Sequence, residues 1–110
     1  GWYSVTDFVS TSDEAVTAEF TKKFTDKYGY APELYAATYY SATYVLADAI
    51  ERAGSADPQA VRDALAATDG LVLPEGSYKC DENGNLLHGC VIAQIRDKVP
   101  TMVEYVDLAA

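Results

Sequence analysis

Basic residues are scarce in this chain, and chemically reactive ones scarcer. Eight Lys and Arg stand against seventeen Asp and Glu, giving a formal charge of -9 in 110 residues, and no cluster of positive charge offers a track for phosphates. Nucleic-acid binding is thereby excluded as a leading reading. The acidic residues are dispersed and form no tail of like charge, so their simplest role is solubility. No apolar run approaches the roughly 18 residues that span a bilayer, and the start of the chain lacks a basic stretch followed by an apolar one. If the protein is exported, its signal peptide is expected upstream of Gly1. There is one histidine, His88, and there are two cysteines, Cys80 and Cys90. No glycine-rich phosphate loop is present, and no carboxylate pair has a supporting context for catalysis.

Hydrophobic content of 49% supports one modest core. Trp2 to Val9 reads as a strand leading into Ser10-Thr11-Ser12, with Thr11 and Glu14 at capping-box spacing. Val16, Phe20, Phe24 and either Lys27 or Tyr28 then mark one face of an amphipathic helix ending at Gly29. A second helix is expected over 33–53, opened by Pro32 and closed by Gly54. Ala36, Tyr39 or Tyr40, Thr43, Ala47 and Ile50 are its expected packing face. Asp57-Pro58 starts a third, with Val61, Ala64 and Leu65 inward and Gly70 as its end. Beyond Gly70 the pattern turns to strands: Leu71 to Leu73, Gly76 to Cys80, a turn at Asn83-Gly84, then Val91 to Arg96 paired antiparallel with Thr101 to Asp107.

Three constellations invite chemistry and two fail on their own terms. Cys80, Cys90 and His88 lack the orienting group and oxyanion donors that a thiol nucleophile needs. Asp81, Asn83 and Asn85 imitate the first ligands of a calcium loop, but Leu86 stands where the sharp turn requires Gly and Ile92 where Glu is needed. Tyrosines at 28, 30, 35, 39, 40 and 44 are spread around a helix and cannot all face one ligand, so most are expected in packing or hinge positions.

The order of these pieces resembles the last third of the type I periplasmic solute-binding proteins, the leucine/isoleucine/valine-binding group of ABC importers. Phe20 to Pro32 is similar to their Phe-x3-Phe/Tyr-x3-Tyr-Gly-x2-Pro stretch, and Tyr40-Ser41-Ala42 stands where Tyr-Asp-Ala is usual. Gly76 to Asn85 resembles a Gly-x3-Phe-Asp-x2-Gly-Asp/Asn turn, and Val91 to Val103 the terminal strand pair. Ser41 for Asp, Cys80 for Phe, and Lys98 where Asp-Gly-Lys would place Gly are departures from that pattern.

The resemblance implies an α/β chain, the C-terminal part of a two-lobed fold, running strand, three helices, then antiparallel strands. It implies second-lobe residues over 1–30, first-lobe residues over 31–88, and a terminal second-lobe strand pair over 89–110. It further implies a periplasmic or extracellular protein that captures a small polar ligand, an amino acid foremost, and hands it to an ABC permease. A receptor's ligand-sensing domain and an isolated, self-associating piece forming a homodimer or strand-exchanged assembly are the alternatives. No catalytic residue, metal or cofactor is implied. Tyr35 aligns with an aromatic residue that covers the ligand side chain. Thr6 and Asp7 are further candidates, because ligands in open α/β sheets bind beyond the carboxyl ends of strands. A tight Asn83-Gly84 hairpin would offset Cys80 and Cys90 too far for a disulfide, whereas a wider loop centred on Asn85 would set them opposite each other; the resemblance implies a lobe-crossing linker here in an exported protein, which favours the Cys80–Cys90 bond over two buried free thiols.

Overall fold

Nine elements follow one another in the computed structural model, which describes all 110 residues. They are β1 (Tyr3–Thr6), α1 (Ala15–Tyr28), α2 (Leu34–Ala53), α3 (Pro58–Ala66), β2 (Asp69–Leu73), β3 (Gly76–Cys80), β4 (Leu86–Leu87), β5 (Gly89–Arg96) and β6 (Val99–Asp107). The strands form two separate three-stranded antiparallel sheets, ordered β1-β5-β6 and β2-β3-β4. The chain therefore passes from the first sheet through the helices to the second, and returns at His88 between β4 and β5.

Most local signals act as expected. Gly29 closes α1 and Gly54 closes α2 in left-handed conformations, their N–H groups returning to Thr25 and Glu51 carbonyls. Asp57 caps α3 by accepting from the Ala60 N–H at 3.1 Å, with Pro58 at the first helical position. Phe20 is buried on α1, and Phe8 meets it edge-on with ring centroids 5.8 Å apart.

Four expectations give way to tertiary contacts. The Thr11–Glu14 capping box does not form: the Thr11 hydroxyl donates to the Pro100 carbonyl at 2.6 Å, while Ser12 Oγ accepts the Glu14 N–H. The buried stripe of α2 is Ala37, Ser41, Val45 and Ala49, displaced from the expected face because Phe8, Leu73 and Tyr78 pack against these positions. Helix α3 stops at Ala66, and Gly70 instead forms a bulge in β2, where Asp69 faces Lys79 and Leu71 already faces Tyr78. Its φ of 86° suits the extra residue of such a bulge. Finally, β5 and β6 join through Asp97-Lys98 alone, both at positive φ, as a two-residue hairpin requires.

Burial is spread over three small apolar clusters: Phe8, Phe20 and Ala37; Val9, Val91 and Ala93; and Val45, Leu73 and Tyr78. The radius of gyration is 15.2 Å, against about 13 Å for a chain of this length closed on one core. Accessible surface is 7057 Å², roughly 1,100 Å² above the scaling for a monomer of this mass. Two sheets standing side by side, each with an uncovered face, account for the surplus.

Candidate functional site

Tyr35 lies in the first turn of α2 and is 73% exposed. Thr6 ends β1 half-buried, its hydroxyl donating to the Phe8 carbonyl at 3.4 Å, and Asp7 follows it exposed. Phe8 then packs on Ala37 and Leu34. That contact carries the end of β1, with Thr6 and Asp7, to the first turns of α2, where Tyr35 faces solvent from another side of the helix. A groove of about 390 Å³ runs beside it, lined by Phe8 to Ser10, Ala31 to Leu34, and Pro100.

A buried polar centre that the sequence reading passed over lies at the β2–β3 turn. Glu75, between Pro74 and Gly76 in the β2–β3 turn, is 2% exposed. Its Oε2 accepts from the hydroxyl of Ser41 on α2 and from that of Tyr78 on β3, the latter at 3.0 Å, while Oε1 is buried without a partner. A lone Glu in a Pro-Glu-Gly turn reads as solvent-facing, and only the apolar run Leu71 to Pro74 before it hinted at burial. Burial, then the Glu75 charge, pushes the Tyr78 phenol far above its ordinary range, and Asp7 adds to the shift from the other sheet. Tyr35, six residues before Ser41, is about 9 Å from it along the helix axis.

His88 stacks on Tyr78 with ring centroids 4.9 Å apart. Its Nδ1 lies 2.7 Å from the Gly89 carbonyl, which can only accept, so Nδ1 carries the proton. The histidine is committed to packing at the chain crossing. The Asp81 carboxylate is likewise engaged by its own turn, accepting from the Asn83 N–H, the Asn85 N–H and Asn85 Nδ2 at 2.8–2.9 Å.

Both cysteines are free thiols, and the expected Cys80–Cys90 bond is not formed. The hairpin register is the reason: β3 and β4 pair Cys80 with Leu86, and Cys90 belongs to the other sheet, opposite Val106. The tyrosines divide as the helix geometry demands. Tyr44, Tyr40, Phe20, Phe24, Tyr28 and Tyr30 form a continuous ladder of ring contacts at 4.6–6.4 Å between neighbouring centroids. Tyr35 and Tyr39 instead face solvent on α2.

The chain thus holds parts of two sheets, linked once through the three helices and once at His88, with an exposed aromatic on α2 and a buried carboxylate in the β2–β3 turn. Comparison with known proteins places it further: the Periplasmic binding protein family model matches residues 1–100, and the chain belongs to that family. A curated relative, Leu/Ile/Val-binding protein homolog 1 of Brucella abortus, is 38% identical over 73 residues, 66% of this chain and 19% of the relative.

Among solved structures, the leucine-binding protein LivK of Thermotoga maritima aligns over 98% of this chain and 31% of its own, with a TM-score of 0.83 and 27% identity. The Rhodopseudomonas palustris solute-binding protein in complex with benzoate shares the fold over all of this chain and 31% of its own, with a TM-score of 0.82 at 20% identity. The chain therefore spans about a fifth of its curated relatives' length and about a third of the solved ones.

Proposed function

We infer that this chain acts as the C-terminal portion of an extracellular or periplasmic solute-binding protein that captures an amino acid, or a similar small polar ligand, for an ABC importer. The observation that carries this reading is the near-complete match of the chain to a family that includes leucine-binding LivK. In this reading residues 1–30 and 89–110, holding the β1-β5-β6 sheet, belong to the second lobe, and residues 31–88, holding β2-β3-β4, to the first. The surplus of exposed surface and the separation of the two sheets support that division.

Tyr35 contributes an apolar wall to the ligand side chain from the first lobe. Thr6 and Asp7 approach it from the second. Ligand held between lobes has more contacts in the closed form than in the open one, and shifts the equilibrium by that difference in affinity. The closed form would then be the one recognised by the permease.

Calorimetric titration with leucine, isoleucine, valine and benzoate tests the reading, with Tyr35→Ala as the comparison. Saturable binding of one ligand, weakened at least tenfold by Tyr35→Ala, is the expected result. Absence of heat for all four, in protein whose intact mass shows both lobes to be present, would overturn the assignment of ligand class.

A further inference from the structure

The turn at Pro74-Glu75 receives hydrogen bonds from five elements. The Thr17 hydroxyl of α1 donates to the Pro74 carbonyl at 2.6 Å. Ser41 of α2 and Tyr78 of β3 donate to the Glu75 carboxylate. The Glu75 carbonyl accepts the Gly89 N–H at the start of β5, at 3.1 Å, and the Tyr105 hydroxyl of β6, at 3.3 Å. The last two bonds cross from one sheet to the other.

Tyr105 holds its place by close fit as well. Its ring and hydroxyl occupy the space that a Cβ on either Gly76 or Gly89 would need, so both positions require glycine for the ring to enter. Val9, Val91 and Ala93 pack nearby and fix the ring on its own sheet. Glu75 is fixed on the other sheet by Ser41 and Tyr78. A rigid ring thus bears on a rigid turn, with glycine on both sides.

We propose that Tyr105 is the positioning residue that sets the angle between the two sheets, its hydroxyl tying β6 to the Glu75 carbonyl while the Gly89 N–H bond to that carbonyl serves as the pivot. Both bonds end on the Glu75 carbonyl, but the Gly89 N–H reaches it from the crossing itself and the Tyr105 hydroxyl from within β6, so reorientation of the sheets bends the second bond more than the first. The proposal rests on the two-lobed reading only for its consequence in ligand-driven closure. Its test uses no ligand, so failure of one leaves the other standing.

The experiment compares Tyr105→Phe and Tyr78→Phe with the native chain, by residual dipolar couplings and amide hydrogen exchange on ¹⁵N-labelled protein. In the native chain one alignment tensor is expected to fit both sheets. Tyr105→Phe keeps the couplings within each sheet but needs a separate tensor for each, and Gly89 amide exchange accelerates about two- to tenfold, as loss of one neutral hydrogen bond dictates. Tyr78→Phe cuts a bond to the same Glu75 from within its own sheet, so it lowers stability and leaves the single tensor intact. A single tensor and unchanged Gly89 exchange in Tyr105→Phe, or equal effects from both variants, would overturn the proposal. Should Tyr105→Phe not fold, the native Tyr105 hydroxyl proton decides: protection in step with the Gly89 amide supports the tie, and free exchange refutes it.

Discussion

Removing the Ser41 hydroxyl takes away one of the two donors that hold the Glu75 carboxylate. The site is nearly dry, with Ser41 1% and Glu75 2% exposed, and Oε1 of the same carboxylate already has no partner. A hydrogen bond to a charged group in such surroundings contributes about 1.5–3 kcal/mol, and Ser41→Ala changes the packing volume little, so that range is the expected loss. Ser41→Asp restores the residue usual in the resembling family but sets a second carboxylate beside the first. Two unit charges at about 4 Å and an effective dielectric constant of 20 repel by about 4 kcal/mol, an upper bound because one of the pair can take up a proton instead. Combining Ser41→Asp with Glu75→Ser returns the site to one carboxylate and one hydroxyl, and recovers most of the loss. Urea unfolding, followed by circular dichroism, reads each free energy, with the slope checked so that a change in midpoint reports stability alone. A loss below about 0.5 kcal/mol for Ser41→Ala, where about 1.5–3 is expected, or an exchanged pair no more stable than Ser41→Asp, would refute the view that this carboxylate and hydroxyl form one buried unit.

Other perturbations have narrower causes. Lys98 adopts a φ of 67° in the β5–β6 turn, which costs a side-chain-bearing residue about 1 kcal/mol, so Lys98→Gly is expected to raise the melting temperature by about 5 °C. Gly54→Ala should lower stability by about 1 kcal/mol through backbone strain alone, since its φ is 61° and nothing lies within 4 Å of an added Cβ; a differential melt checks it. The Asn85 side chain and backbone, with help from Asn83, hold the exposed Asp81 carboxyl below its ordinary range. A lowered folded value means that the turn has its full contribution above the unfolded aspartate range and loses it as pH falls through the folded value. The Asn83 and Asn85 amide resonances should therefore move with a midpoint below that of an ordinary aspartate, and lose this transition in Asp81→Asn.

The elements of this chain were legible wherever the determining interaction is local. Gly29 and Gly54 end helices because left-handed backbone is cheap only for glycine, and Asp57-Pro58 starts one because both residues answer donors at their own helix end. The motifs over Phe20 to Pro32, Tyr40 to Ala42 and Gly76 to Asn85, in their order and spacing, likewise brought the family into view. What failed in the sequence reading depends on residues far apart in the chain. Thr11 has a capping partner three residues away but bonds Pro100 instead, 89 residues on. The packing face of α2 is ambiguous because small residues occur all around the helix; Phe8, Leu73 and Tyr78 select Ala37, Ser41 and Val45. Cys80 and Cys90 are separated by a register that assigns them to different sheets. Glu75 is the clearest case. As a turn residue it carries no sign of burial, and only the convergence of α2, β3, β5 and β6 on one turn removes it from water and supplies the donors that make its burial tolerable.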